Sequence, residues 1–354
     1  MSLWRDTIGR MAGYVPGEQP QDRRYIKLNT NENPYPPSPR ALAALAAFSG
    51  ERLRLYPDPA ADVLRDTAAR VYGLPGRDWV LAGNGSDDLL TIGTRTFVDQ
   101  GGALAHPEPS YSLYPVLAGL QGARAVAVPL DAEFALPADA AAQATAAGCS
   151  LFFLARPNAP TGTLFPRAAV ETLCREFTGV VWIDEAYGDF APDHCLDFPA
   201  RFPNVVVSRT FSKSYSLAGA RLGLALARPE LIGQMLKAKD SYNVDALTQA
   251  VGVAALADQA YLQDRVAAIR RTRDRVAAAL AGLGCAVCPS ASNFLFVKPA
   301  RTRAAAVFAG LREHGVLVRY FPGDRTGEYL RITVGTDEEM DLLLAAMREL
   351  IGAG

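Results

Sequence analysis

The chain has 354 residues, with 36 Lys+Arg against 37 Asp+Glu and a formal net charge of −1. That length exceeds what one hydrophobic core usually serves, which predicts two domains, and 49% hydrophobic against 21% charged residues excludes a disordered chain. The balanced charge carries no electrostatic footprint for nucleic acid or an anionic membrane, and no stretch approaches the roughly 20 apolar residues of a membrane span. Arg5 and Arg10 break up the apolar residues of the opening MSLWRDTIGRMAGYVPG, so it lacks a signal-peptide core. The expectation is a soluble cytoplasmic protein.

The first 40 residues hold few helical signals and many Pro, Asn and Gly, and are expected to pack on a small domain and the entrance to a site. From 79 to 228 short apolar runs alternate with helical patterns: WVLAG (79–83), ALAH (103–106), ARAVAVPL (123–130), CSLFFLA (149–155), GVVWIDE (179–185), NVVVSR (204–209) and RLGLALA (221–227). Runs apolar on both faces and separated by helices predict an α/β domain over 41–250, built on a mostly parallel seven-stranded sheet flanked by helices. TFSKSYSLAGA, which joins the last two runs, is too short for a crossover helix and predicts one antiparallel strand.

After about 230 the character changes. A long helical region reaches 282, followed by FLFVK (294–298), a helix near 302–314, GVLVRYF (315–321), YLRITVG (329–335) and a closing helix over 337–351. This alternation predicts a small α+β domain over 251–354. Cys285 and Cys288 form a C-x-x-C, but no second pair exists and the histidines at 106, 194 and 314 stand at no ligand spacing. Two packed thiols and no metal are expected.

In an open parallel sheet the ligand crevice lies outside the carboxyl ends of the strands. Those ends here carry Gly83-Asn84-Gly85-Ser86-Asp87-Asp88, Arg156-Pro157-Asn158-Ala159-Pro160-Thr161-Gly162, Asp184-Glu185-Ala186-Tyr187, and Thr210-Phe211-Ser212-Lys213 followed by Gly219-Ala220-Arg221. Ser86 is placed as the N-cap of the following helix. Each turn alone is an ordinary link between elements. Taken together in this order, they form a pattern that resembles the fold-type I pyridoxal-phosphate (PLP) enzymes of the aspartate aminotransferase superfamily. LNTNENPYPPSP (28–39), LYPDP (55–59), GNGSDD (83–88), TFSKSYSLAGARLG (210–223) and YLRITVGT (329–336) are similar to signatures of its histidinol-phosphate aminotransferase family.

The resemblance implies roles for individual residues. Lys213 would hold the cofactor aldehyde as a Schiff base and then serve as the base at the substrate Cα. Asp184 ends a very apolar strand and would keep the pyridine nitrogen protonated. Asn158 and Tyr187 would hydrogen-bond the ring phenolate oxygen, and Tyr111 would stack on the ring face, with Tyr114 as a lesser candidate. Gly85, Ser86, Asp87, Thr210, Ser212 and Arg221 would surround the cofactor, its phosphate held by the helix N-terminus, the hydroxyls and the guanidinium. Tyr56 would reach the phosphate in a neighbouring subunit, which makes a homodimer part of the hypothesis. Arg331 and Arg319 would bind the anionic substrate, with Asn158, Tyr25 and Asn33 lining its approach.

Asp88, Arg156 and Ala159 depart from the family pattern and are expected to tune substrate fit. The implied reaction is ping-pong transamination of histidinol phosphate with 2-oxoglutarate. An aromatic amino-acid transaminase and a phosphothreonine decarboxylase of cobalamin synthesis are the alternatives that the same site would serve.

Overall fold

A computed structural model describes residues 3–352. Seven strands form the central sheet, in the order Val80–Gly83, Gly223–Ala227, Val205–Thr210, Val180–Asp184, Leu151–Ala155, Ala103–Glu108, Arg124–Pro129. Gly223–Ala227 runs antiparallel to both of its neighbours, and the other pairings are parallel. The seven-stranded sheet and its one reversed strand follow the expectation from sequence.

The strand sequences explain why the sheet is covered twice. Phe152, Leu154, Val181, Ile183, Val205 and Val207 enter one apolar cluster. Leu151, Phe153, Trp182 and Val206, one residue out of phase, enter another on the opposite face. A period of two with both phases apolar is what a sheet buried between helical layers requires. Arg124–Pro129, at the sheet edge, is the exception: only Val128 of its six residues is fully buried.

A second core gathers Leu280, Leu295, Val297, Val307, Ile332 and Leu343. It lies on a four-stranded antiparallel sheet, ordered Arg319–Tyr320, Leu330–Thr333, Phe294–Lys298, Ala286–Val287. Helices Gln259–Gly282, Ala304–Glu313 and Asp337–Gly352 pack around it.

Three local expectations differ from the structure. The helical region from 230 to 282 is three helices, Pro229–Ala238, Ala246–Leu256 and Gln259–Gly282. Asp245 starts the second by accepting the Thr248 N–H at 2.8 Å. GVLVRYF is two strands: Val316–Leu317 pairs in parallel with Ile26–Lys27, and Arg319–Tyr320 pairs with Leu330–Thr333. The chain passes from one sheet to the other at Val318, because a partner from the N-terminal segment takes the first half. Ser86 is not a cap. Gly85 holds that position at φ +82, and Ser86 begins the helix Ser86–Phe97.

Gly223 sets the distance between this helix and the sheet. A Cβ on Gly223 would lie 2.8 Å from the Gly85 carbonyl carbon and 2.9 Å from the Ser86 nitrogen. Backbone cannot yield as a flexible side chain does. Gly223→Ala should therefore destabilise the protein by about 1–3 kcal/mol in urea unfolding, and an unchanged midpoint would contradict this packing.

Candidate active site

The carboxyl ends of the parallel strands open into a cavity of about 540 Å³. Asp184, Tyr187, Lys213, Arg221, Arg319 and Arg331 all line it. The strand end carrying the acid and the turn carrying the amine thus meet on one space.

Asp184 is only 4% exposed. Its Oδ1 accepts from Ser208 Oγ at 3.0 Å and the Ala186 N–H at 3.2 Å, and its Oδ2 accepts from Tyr114 Oη at 3.0 Å. Burial pushes its pKa up to about 6 against these donors. No Lys or Arg forms an ion pair with it among the described residues. Lys213 is shifted the other way, down to about 8, first by desolvation and then by the Arg331 charge. Its Nζ donates to the Thr30 carbonyl at 3.1 Å.

Beside these lies a corner of hydroxyls, a guanidinium and a helix N-terminus. Thr210 Oγ1 donates to Ser212 Oγ at 3.1 Å, and Arg221 Nη1 donates to Ser212 Oγ at 3.3 Å. The N-terminus of Ser86–Phe97 faces the same corner, with Ser86 and Asp87 in the cavity wall. Gly85 contributes by lacking a side chain: a Cβ there would stand 2.5 Å from Arg221 Nη2. Arg221 itself adopts φ +53, a conformation that a non-glycine residue holds only where its surroundings enforce it. Its contact with Asp87 at 3.6 Å is half-exposed and adds little to stability.

Across the cavity, Arg319 and Arg331 stand opposite each other on paired strands. Arg331 Nη2 donates to the Asn29 carbonyl at 2.9 Å, while its buried Nε finds no partner. Its guanidinium lies 5.5 Å from the Phe294 ring centre and 5.3 Å from that of Phe321. Arg319 donates to the Val15 and Pro16 carbonyls at 2.8 and 3.0 Å. Tyr187 Oη accepts from Asn31 Nδ2 at 2.8 Å, and Tyr111 Oη donates to Asp87 Oδ1 at 3.1 Å. The edge of Tyr14 meets the Tyr111 ring at 5.9 Å.

Several residues expected in the site stand elsewhere. Asn158 is absent from the cavity wall. Its Nδ2 donates to the Pro109 carbonyl and Thr161 Oγ1, both at 3.0 Å, and its Oδ1 accepts from Ser110 Oγ at 2.8 Å, so the neighbouring loop at 109–110 and its own Thr161 consume the amide. Tyr25 bonds Asp22 at 3.0 Å and lies under Arg23, outside the cavity, because its strand turns it toward the helix ending near Arg312. Asn33 instead holds the Lys213 and Ser214 carbonyls at 3.0 and 3.1 Å. Tyr114 is fully buried and grips Asp184 rather than facing a ligand.

Tyr56 is 82% exposed, stacked on Tyr242 at 4.5 Å and outside this cavity. Of the three departures from the family pattern, only Ala159 lines the cavity. Arg156 is buried toward Glu185 and Asp193, and Asp88 caps the Asn84 N–H at 2.8 Å.

Sequence reasoning missed Ser208, Asn31 as a specific partner of Tyr187, and Tyr14. The only signal for Asn31 was its place in LNTNENP. Nothing local marks Ser208, which becomes a ligand of Asp184 through strand pairing.

The residues fit PLP on structural grounds. A buried acid without a cation, a buried amine of lowered pKa, and a corner of hydroxyls, guanidinium and helix N–H groups match the ring nitrogen, aldehyde and phosphate of that cofactor.

The family model for aminotransferase class I and II matches residues 23–347, and the chain belongs to that family of PLP-dependent, fold-type I enzymes. Among curated relatives, it is 48% identical to a histidinol-phosphate aminotransferase of Syntrophotalea carbinolica, over 99% of this chain and 100% of the relative. It is likewise 48% identical to one of Synechocystis sp., over 99% of this chain and 98% of the relative. Among solved structures, the histidinol-phosphate aminotransferase of Sinorhizobium meliloti in complex with pyridoxal-5'-phosphate superposes with a TM-score of 0.91 at 29% identity, over 100% of this chain and 98% of that one.

The lowered pKa of Lys213 has a thermodynamic consequence. Between pH 8 and 10.5 the unfolded chain keeps this proton and the folded chain has lost it. Stability of the cofactor-free protein therefore gains from Lys213 as pH rises through that window. Lys213→Met should flatten the rise in chemical denaturation profiles, and an identical slope in both proteins would contradict a buried, depressed amine.

Proposed function

We propose that the chain is a histidinol-phosphate transaminase, exchanging an amino group between histidinol phosphate and 2-oxoglutarate by ping-pong double displacement, and that it works as a cytoplasmic homodimer. The observation that carries the reading is one cavity lined by Asp184, Lys213 and the Arg319–Arg331 pair together. The names of full-length relatives at 48% identity support the substrate.

When bound, PLP supplies a carbonyl for the substrate amine and an aromatic sink for the electrons of the Cα–H bond. Asp184 holds the proton on its ring nitrogen by offering a buried negative charge. Lys213 would anchor the aldehyde end, and its Nζ would be the base that carries the proton at the substrate Cα. A pKa near 8 keeps a useful fraction of that amine uncharged at neutral pH. Tyr187, oriented by Asn31, donates to the ring oxygen.

Thr210, Ser212, Arg221 and the helix N-terminus hold the cofactor phosphate. Arg331, with its unpaired Nε, and Arg319 take the substrate's anionic group, phosphate in one half-reaction and carboxylate in the other. A guanidinium serves both, because each presents paired acceptor oxygens. Tyr111 covers the ring face.

Two features support association. Tyr56 has no task in its own cavity, and exposed Leu42, Leu45, Leu53, Leu55 and Val63 lie near it in sequence. Tyr56 reaching the phosphate of the partner subunit's cofactor would account for it. Among the described residues no helix is long and apolar enough to cross a membrane.

Lys213→Ala should abolish turnover and the borohydride-reducible link to PLP; full activity in that variant would refute the mechanism. In a donor panel with 2-oxoglutarate, histidinol phosphate should outperform phenylalanine and tyrosine, and phosphothreonine should release no carbon dioxide. Preference for phenylalanine would overturn the substrate. Mixing inactive Lys213→Ala and Tyr56→Ala subunits should restore up to about a quarter of wild-type activity, since a mixed dimer holds one intact site. No recovery would refute a shared site.

A further inference from the structure

Tyr114 opens the second turn of no catalytic loop; it sits in the first turn of the helix Leu113–Gln121, fully buried, and takes no part in the cavity wall. Its ring stacks on Phe153 at 4.8 Å and 14°, and the Tyr111 ring stands edge-on to it at 5.5 Å and 86°. Two aromatic neighbours in different orientations fix the ring, and with it the direction of the hydroxyl. That hydroxyl meets Asp184 Oδ2 at 3.0 Å and makes no other hydrogen bond among the described residues. Its hydrogen has one acceptor.

The other oxygen of the carboxylate is constrained as strictly. Trp182 Nε1 donates to Ser208 Oγ at 2.9 Å, which occupies the serine as an acceptor and turns its hydrogen toward Asp184 Oδ1 at 3.0 Å. With the Ala186 N–H also on Oδ1, three of about four acceptor positions of the carboxylate are filled. The open one is on Oδ2, the oxygen that Tyr114 holds. Three donors aimed at the carboxylate bond the ionised form more strongly than the neutral one, so the arrangement favours the anion.

We propose that Tyr114 is a positioning residue that keeps Asp184 ionised and leaves Oδ2 aimed at the ring nitrogen of PLP. The inference rests on the functional reading above and adds to it a residue that touches neither cofactor nor substrate. Burial alone drives Asp184 toward its neutral form, with a pKa of about 6 even with its donors in place. Removing the Tyr114 hydroxyl takes away the donor on the oxygen that has only one.

The test compares the affinity of the cofactor-free protein for PLP with its affinity for the 1-deaza analogue, which has carbon in place of the ring nitrogen. Tyr114→Phe keeps the aromatic stack and should weaken PLP roughly 10- to 100-fold, the size of a hydrogen bond to a charged group. Binding of the analogue should change by less than about twofold. The acid limb of PLP binding should move to higher pH in Tyr114→Phe. It should move to lower pH when 3-fluorotyrosine, a stronger donor of nearly the same shape, replaces Tyr114, which keeps the test open even if the Phe variant folds poorly. Equal losses for both ligands, or an acid limb unmoved by either replacement, would overturn the role. PLP binding unchanged in Tyr114→Phe would also overturn it while leaving the functional reading intact; a wild-type chain that binds no PLP would overturn both.

Discussion

A carboxylate and an amine share one cavity here without neutralising each other, and the site follows from that constraint. Among the described residues, Asp184 has hydrogen-bond donors and no ion pair with a cation; Lys213 has the Thr30 carbonyl and no carboxylate bond. Each is displaced toward its uncharged form, the acid up to about 6 and the amine down to about 8. An ion pair between them would have been the simple remedy for burial, and it would have left neither group available. Kept apart, each has capacity for a ligand that brings a positive nitrogen to one and a carbonyl to the other. Perturbed groups that line one cavity mark a functional site more than a device for stability.

Holding the two apart requires a rigid frame behind them. Arg209, in the strand Val205–Thr210, donates to Glu185 Oε2 at 2.9 Å and also bonds Asp189, which accepts from Ser214. Glu185 follows Asp184 in the chain, and Ser214 follows Lys213, so one buried guanidinium ties together the backbones that carry acid and amine. Arg156 adds a second cation, 3.8 Å from Glu185. Buried charges of this kind contribute little net stability, since desolvation offsets their attraction, but breaking one leaves a stranded charge and is costly. Their effect is geometric. Arg156, expected from sequence at the margin of the substrate pocket, belongs to this frame.

What could be read in the sequence was whatever the chain places at strand ends. Asp184 and Lys213 were legible because the strand-end turns, each ordinary alone, form in their order the pattern that carries the family resemblance. The seven strands and the reversed one followed from the apolar runs and from the short TFSKSYSLAGA link, whereas their order in the sheet did not. Non-local partners were not legible. Ser208 reaches Asp184 because Val180–Asp184 and Val205–Thr210 pair in register, and Tyr114 reaches it from a helix 70 positions earlier in the chain. Asn158 illustrates the converse. Its motif marks the loop correctly, yet its amide is occupied by Thr161 of that loop and by the Pro109 carbonyl and Ser110 of the loop after Ala103–Glu108. Composition cannot say whether a polar side chain serves a ligand or its own turn.

The N-terminal segment explains how a site built on two cores stays one site. Lys213 and Asp184 belong to the large sheet, whereas Arg319 and Arg331 belong to the small one. Ile26–Lys27 attaches the segment to Val316–Leu317, and five residues later Asn31 donates to Tyr187 Oη while its own backbone N–H reaches Thr333 Oγ1 at 2.9 Å. Asn31 thus grips a residue of each core. It does so at φ +56, in the left-handed region that asparagine tolerates better than most residues. Its side-chain Oδ1 also accepts from Thr333 Oγ1 at 3.0 Å, and its carbonyl accepts from Asn293 Nδ2 at the same distance. Four hydrogen bonds on one residue enforce a backbone conformation that the residue alone would rarely adopt. Asn31 therefore ties the small sheet that carries Arg319 and Arg331 to the Asp184–Tyr187 end of the large one, and so constrains the distance between those arginines and Lys213.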